Sequence, residues 1–252
     1  MKKALILCTI ALIVLSLCSC SAGNTKENKT NPEKTVFNSV SDKAEIHADD
    51  GTLVYKASVV YPEITMTDNK PSQEKINGYF KQEASKILSP EKDYVAEYES
   101  YKSDGLDYFS NAEISVVITN LYSDDKIISF TADFYVHEAC AISSYEYKSG
   151  ICFLKESGEK LELEALTSDV TAFNSKLAQT VTASLTQMEN NSEIAGVSTD
   201  DALNMINSHE FFWTLDGETL TVIFPTGSIA PNYLGSIEIP VKLEEFSEII
   251  SI

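Results

Sequence analysis

The chain has 252 residues, of which 43 % are apolar and 23 % are charged, so it is not a collagen-like, fully disordered or disulfide-scaffold protein. Thirty-eight acidic residues face nineteen basic ones, and every basic residue is lysine, which gives a formal net charge of −19. An acidic chain without guanidinium groups argues against a nucleic-acid partner and against anionic lipid headgroups.

The first nineteen residues have the pattern of a bacterial signal peptide. Lys2 and Lys3 precede an apolar run from Ala4 to Leu17. This run is shorter than the roughly 20 apolar residues that a membrane-spanning helix needs. We therefore interpret residues 1–19 as a cleaved leader.

The end of this leader predicts a lipid anchor. The run Leu17-Cys18-Ser19-Cys20 resembles the lipobox of bacterial lipoproteins, with leucine three positions before the cysteine and a small residue directly before it. Cys18 is the poorer acceptor because bulky Leu17 would precede it. We predict lipidation of Cys20 and a location on the outer face of the cell membrane; the alternative is an ordinary leader cleaved after Ala22.

Residues 20–50 are polar and show neither a helical nor a strand period. Such composition is typical of a flexible tether. At about 5–6 Å × √n, a flexible segment of this length would place the domain about 30 Å from the bilayer.

Residues 51–165 predict the first half of the globular part. β-Branched and aromatic residues favour strands, and apolar residues at helical spacing favour an amphipathic helix. The predicted elements are a strand over 53–61, a helix over 72–89, a hairpin of strands over 113–121 and 126–136, and a second hairpin that joins 145–154 to 161–163.

Residues 166–252 predict the second half. A helix over 168–189 has one apolar stripe, and a shorter helix starts near Thr199. Asp216-Gly217 separates two strand-like runs, which is a strong hairpin signal, and the last strand spans 236–243. We therefore predict an α+β fold, with an antiparallel sheet, helices packed on one face and two sequential helix-plus-strands halves.

Two cysteines, Cys140 and Cys152, lie in the globular part. Outside the membrane such a pair predicts a disulfide, which would stabilise the fold by about 3 kcal/mol in the chain-entropy model. Free thiols are the main alternative. A metal site would need more ligands than the nearby His137 supplies, so we predict neither a metal nor another cofactor.

No catalytic motif is present. His47, His137 and His209 are scattered, and no G-x-S-x-G elbow accompanies them. The acidic pairs at 49–50, 124–125 and 200–201 are typical of solvated turns and helix caps. We predict no catalytic residue, although carboxylates brought together by folding could still act on glycosidic bonds.

Aromatic residues gather near the last hairpin, at 211–213 and at Tyr233. Such residues usually belong to the core, but they also form ligand surfaces. Trp213 and Tyr233 are therefore the candidate ligand-binding residues.

Several segments in order resemble a bacterial extracytoplasmic domain pair of unknown function. They are Val59-Val60-Tyr61-Pro62-Glu63-Ile64, Lys75-Ile76-Asn77, the hairpin Ser157-Gly158-Glu159-Lys160-Leu161, Phe211-Phe212-Trp213, and Ile229-Ala230-Pro231-Asn232-Tyr233-Leu234-Gly235 with Ile237-Glu238-Ile239-Pro240. The resemblance spans about residues 53–246. Where the family often has a Gly-Gly-Ala-His loop, this chain has His137-Glu138-Ala139-Cys140.

The resemblance implies a function outside the cell. The domain pair occurs in the ectodomain of the RsiV-type anti-sigma factor, which binds lysozyme, and beside the catalytic domain of some peptidoglycan deacetylases. Loss of the leader leaves 17 lysines against 38 acids, a charge of −21, which favours encounter with basic partners.

We therefore expect a lipid-anchored, non-enzymatic binding module for a cell-wall component or a cationic protein such as lysozyme. One alternative is a hydrolase that acts on wall polymers, and another is an accessory lipoprotein that docks on a membrane complex. The sequence does not indicate an oligomeric state.

Overall fold

The computed structural model describes residues 35–105, 108–191 and 193–249. The predicted leader and Cys20 lie outside these residues. The helices and strands are β1 Thr35–His47, β2 Leu53–Met66, α1 Lys70–Leu88, α2 Tyr94–Ser103, β3 Ala112–Ser123, β4 Ile127–His137, β5 Tyr145–Leu154, α3 Val170–Asn190, α4 Thr199–Ser208, β6 Phe212–Leu215, β7 Thr219–Phe224 and β8 Ile237–Lys242. In this part of the chain, no helix is both long and apolar enough to cross a membrane.

The first five strands form one sheet in the order β1-β2-β3-β4-β5. Three of its four pairings are antiparallel. The central pairing of β2 with β3 is parallel, with Val59 opposite Val116, because α1 and α2 carry the chain back to the edge where β2 began. The fold is α+β as predicted, but the parallel pair was not expected.

Helix α1 covers one face of this sheet. The side chain of Asn69 caps its first turn by accepting a hydrogen bond from the Ser72 backbone N–H at 3.2 Å. Phe80 is fully buried in the middle of the helix. Its ring contacts Phe130 and Phe153 edge to face, with centroids 4.9 and 5.7 Å away, and these contacts tie the helix to β4 and β5.

A second core lies between the three-stranded sheet β6-β7-β8 and the helices α3 and α4. The apolar stripe predicted for α3 is buried there, through Phe173, Leu177, Val181 and Leu185. The Asp-Gly hairpin between β6 and β7 is also confirmed.

The two sheets meet where β6 crosses β4 and β5. The backbone N–H of Leu215 donates to Ser129 Oγ at 3.2 Å, and this hydroxyl also lies 3.2 Å from Cys152 Sγ. A Cβ atom on Gly150 would lie only 2.0 Å from the backbone oxygen of Trp213. Glycine at 150 therefore permits an approach that no other residue allows.

The prediction of a tether over residues 20–50 is wrong from Thr35 onwards. The chain there forms β1, which pairs with β2 over its whole length. β1 is an edge strand with many exposed polar side chains, so its composition is close to that of a linker. The part of the predicted tether before Thr35 lies outside the described residues.

The predicted disulfide between Cys140 and Cys152 is also wrong, because both thiols are free. Cys152 lies opposite Ser129 in the β4–β5 pairing, whereas Cys140 follows His137 at the far end of β4. Eight residues along β4 lead from Ser129, which is opposite Cys152, to His137. At roughly 3.3 Å per residue this is about 25 Å, so the two thiols are far too distant to form a disulfide.

Two further elements differ from the prediction. Helix α2 was not expected; it packs Tyr98 against Phe109 with centroids 4.8 Å apart. The segment predicted as a strand over 161–163 makes only a single bridge, between Phe153 and Lys160, before a short 3₁₀ turn at Leu163–Leu166.

Candidate functional site

The face of the five-stranded sheet opposite α1, here called the open face, is polar. Because strand residues alternate between faces, Ser115 of β3, Tyr135 of β4 and Glu146 of β5 form one row across it. Asp133 and Lys148 are cross-strand partners in the next row. No helix covers these rows in the described part of the chain.

The second half of the chain builds a wall along this face and leaves a groove of about 410 Å³. The Lys148 backbone N–H donates to Ser236 Oγ at 2.9 Å, and Lys148 Nζ lies 2.6 Å from Glu238 Oε1. The groove is lined by Ser115, Val117, Asp133, Phe134, Tyr135, Glu146, Tyr147, Lys148, Gly235, Ser236 and Glu238.

The charge of this groove is negative. Its one lysine, Lys148, is already paired with Glu238. Asp133 and Glu146 are exposed, and neither forms an ion pair within the described residues. The groove therefore offers two free carboxylates to a positively charged group.

The strands under the groove are held by an aromatic pair. The rings of Phe134 and Tyr147 stack with centroids 4.4 Å apart and an interplanar angle of 6°. Burial raises the pKa of the Tyr147 hydroxyl, which therefore stays protonated at any physiological pH. This pair holds β4 and β5 together beneath the groove.

A second concavity, here called the Trp213 crevice, has a volume of about 260 Å³. It lies between β5, the segment after it, and the start of β6. Its lining residues are Gly150, Cys152, Lys160, Leu161, Glu162, Leu163, Glu164, His209, Phe211, Phe212 and Trp213.

Two neighbours hold the His209 ring at the rim of this crevice. Nδ1 of His209 lies 2.5 Å from Glu164 Oε1, and Nε2 lies 2.9 Å from the Asn174 side-chain nitrogen. His209 adopts the left-handed conformation, with φ of 58°, where it ends α4. The backbone therefore turns sharply here and directs the chain into β6.

The two predicted ligand-binding residues are not in the same site. Trp213 is partly buried and lines the crevice, whereas Tyr233 is 77 % exposed on a short turn and does not line it. Tyr233 lies two residues before Gly235 of the groove. Sequence reasoning missed Asp133 and Glu146, because only the strand register places them. It treated His209 as an isolated histidine, because only the end of α4 brings it to the crevice.

Asp124 and Cys152 have structural roles. Asp124 Oδ1 accepts hydrogen bonds from the backbone N–H groups of Lys126 and Ile127, both at 2.7 Å, in the β3–β4 turn. Burial raises the pKa of the Cys152 thiol to about 11, so it is unreactive. Within the three described ranges, no group of three or more His, Cys, Asp or Glu side chains could hold a metal ion.

Comparison with solved structures identifies the same fold elsewhere. A DUF3298 family protein from Bacteroides fragilis matches with a TM-score of 0.60 and 11 % identity, over 86 % of this chain and 94 % of that one. A DUF3298 family protein from Pseudomonas aeruginosa PAO1 matches with a TM-score of 0.53 and 11 % identity, over 89 % of this chain and 97 % of that one.

No family model and no curated protein matches the sequence. At this identity the similarity shows the fold alone. The fold is that of a domain of unknown function, so an argument about activity must come from the surfaces described above.

Proposed function

We propose that this protein is a non-enzymatic binding module, held by a lipid on Cys20 at the outer face of the cell membrane, whose groove binds a cationic protein. Asp133 and Glu146, two exposed carboxylates without an ion pair in the described structure, carry this proposal. Lysozyme is the partner that the sequence resemblance suggests.

The electrostatics act at two ranges. The charge of −21 expected after loss of the leader raises the rate of encounter with any basic protein, and added salt screens this effect. The groove acts at short range, because lysine or arginine side chains can pair there with Asp133 and Glu146. Long-range attraction alone would not decide which face of the protein binds the partner. The two carboxylates would direct the partner to the groove.

The shape of the site supports a folded partner. A sheet face is nearly flat and fixed by its ladder of hydrogen bonds, so a partner meets it without ordering a flexible loop. The wall at Ser236 and Glu238 gives the groove one closed side. A protruding basic loop would fit such a one-sided groove.

Binding to lysozyme tests the proposal directly. The chain from Ser21 onwards is immobilised, and lysozyme affinity is measured by surface plasmon resonance over a range of salt concentrations. An exposed ion pair contributes about 0.5–1 kcal/mol, so the double variant Asp133→Asn, Glu146→Gln should bind about tenfold more weakly.

The matched control is Glu189→Gln, Glu210→Gln, which removes the same charge from exposed positions outside the groove. It should keep nearly all of the affinity. Equal losses in the two double variants would mean that only net charge matters and would contradict the groove. Absence of lysozyme binding by the unaltered protein at low salt would exclude lysozyme as the partner.

The anchor is tested separately. In a bacterial host, the unaltered chain should fractionate with membranes and carry a fatty-acylated cysteine at its new amino terminus, as read by mass spectrometry. Cys20→Ala should release it, whereas Cys18→Ala should leave it attached. An unmodified amino-terminal residue on the unaltered protein would contradict the proposed location.

A further inference from the structure

We propose that the Trp213 crevice is a binding site for one ring of an uncharged saccharide. The inference goes beyond the proposed function and does not depend on it, because the crevice and the groove have different lining residues. It rests on the size of the crevice, its mixed aromatic and polar lining, and the contacts that fix its walls.

The size of the crevice limits the ligand. Pockets for drug-sized ligands usually have volumes of about 300–1,000 Å³. At about 260 Å³, the Trp213 crevice takes a single ring-sized group. It opens to solvent beside Phe212, whose side chain is 36 % exposed, so a ring at the end of a chain can enter.

The lining of the crevice combines two kinds of chemistry. It includes the aromatic residues Phe211, Phe212 and Trp213 together with the charged or polar residues Lys160, Glu162, Glu164 and His209. A pyranose ring has the same combination, because its axial C–H groups form an apolar face and its hydroxyls form a polar edge. The apolar face would pack on an aromatic ring and the hydroxyls would bond to the charged groups.

The hydrogen-bonding groups needed for hydroxyls are available. The indole N–H of Trp213 makes no hydrogen bond within the described residues, so it can donate to a ligand oxygen. In the described part of the chain the Glu162 carboxylate has a single ion pair, with Lys160 Nζ at 3.5 Å, which leaves acceptor capacity on its oxygens. The crevice thus offers both donors and acceptors.

Other ligand classes fit less well. A purely apolar ligand would desolvate Glu162 and Lys160 without replacing their hydrogen bonds. An anion would meet two carboxylates, Glu162 and Glu164, against a single lysine. A cation would find both carboxylates already engaged, Glu162 by Lys160 at 3.5 Å and Glu164 by His209 at 2.5 Å. A neutral polyhydroxy ligand is therefore the best match.

The crevice is pre-formed. Gly150 lets the backbone of β6 sit directly on β5, and the bond from Leu215 to Ser129 fixes the far end of β6. Glu164 and Asn174 hold the His209 ring at the rim. A site with fixed walls loses little conformational entropy when it binds.

The chain contains one tryptophan and twelve tyrosines, so emission excited at wavelengths that only tryptophan absorbs reports on this crevice alone. Chitotriose and cellotriose are titrated to millimolar concentrations into the chain from Ser21 onwards. We expect a saturable change in Trp213 emission with at least one of them. Saturation-transfer NMR on the sugar protons supplies a second readout that does not need the fluorophore.

Two variants localise the binding. Glu162→Gln should bind about tenfold more weakly, because a charge-assisted hydrogen bond is replaced by a weaker neutral one. The matched control Glu189→Gln, on α3 and outside the crevice, should bind normally. Trp213→Leu, checked for folding by circular dichroism, should abolish the saturation-transfer signal.

The outcomes are decisive. A saturable signal that is lost in Glu162→Gln but kept in Glu189→Gln supports the site. No signal in either readout, or an equal signal in both glutamate variants, overturns it. Failure here would leave the lysozyme experiment unaffected, because that experiment reads a different surface.

Discussion

A methyl group at position 150 should separate the two sheets. The Cβ atom of Gly150→Ala would lie 2.0 Å from the Trp213 backbone oxygen, 2.5 Å from its carbonyl carbon and 2.6 Å from Thr214 Cγ2. Two of these atoms belong to the backbone, so the clash cannot be relieved by a side-chain rotation. The strand β6 as a whole must move away from β5.

Overpacking of a core usually costs about 1–3 kcal/mol, and a backbone clash lies at the upper end of that range. With a denaturant dependence of about 3 kcal/mol per molar in urea, a loss of about 3 kcal/mol lowers the unfolding midpoint by about 1 M. Trp213 contributes to the clash, so its fluorescence reports on unfolding at the contact between β5 and β6. Circular dichroism follows the whole domain in the same samples.

Gly78→Ala is the matched control. Gly78 lies on the exposed side of α1, and a Cβ atom there would have no neighbour within 4 Å. Replacing glycine by alanine inside a helix stabilises it by about 0.5–1 kcal/mol, so the midpoint should rise. If both variants shift the midpoint in the same direction, or if Gly150→Ala leaves it unchanged, the reasoning about the close approach is refuted.

Three further predictions follow from the buried polar groups. Ser129→Ala leaves the buried Leu215 N–H without a hydrogen-bond partner and should lower the free energy of unfolding by about 1–3 kcal/mol, as measured in urea. An unchanged urea midpoint would contradict this hydrogen bond. Burial pushes the pKa of Asp124 upward, but the backbone N–H groups of Ile127 and Lys126 outweigh it and hold this pKa below its usual range. The contribution of Asp124 to the free energy of unfolding is therefore complete above about pH 4 and is lost as the pH falls through the pKa of Asp124 in the folded protein. Asp124→Asn should make the urea midpoint less sensitive to acid, whereas the control Asp125→Asn should not. In the folded chain from Ser21 onwards, a thiol reagent at pH 8 should modify Cys140 but not Cys152, and both cysteines should react when the protein is unfolded in urea. A disulfide between them, detected by mass spectrometry without reduction, would contradict the assigned strand register.

Local patterns predicted most of the fold. The α3 helix has its apolar stripe at helical spacing, and the β6–β7 hairpin has the Asp-Gly turn, so each element carries its own signal. The edge strand β1 carries no such signal, because only one side of it is buried and its polar residues face solvent. Its strand character comes from the hydrogen bonds that β2 offers, and those depend on tertiary structure.

The candidate sites were largely hidden from the sequence for a related reason. Trp213 could be selected by residue type alone, but Glu162 and His209 join it only because the chain turns at the end of α4 and after β5. The disulfide prediction failed because short separation along the chain does not mean short distance when the chain runs along an extended hairpin. Asp133 and Glu146 required the register of three strands.

One strand connects the two proposed sites. Glu146, Lys148, Gly150 and Cys152 alternate along β5 and therefore share a face, with the first pair in the groove and the second pair in the crevice. Gly150 is the crevice residue nearest to the groove along β5, and it sets how closely β6 packs on that face. A Gly150→Ala protein that still folds should therefore bind both a saccharide and a cationic protein more weakly, measured by the two assays above. Asp133→Asn should weaken only the protein partner, because Asp133 lines the groove and is not among the residues that line the crevice. Loss of saccharide binding in that variant would show that the two sites are not separate.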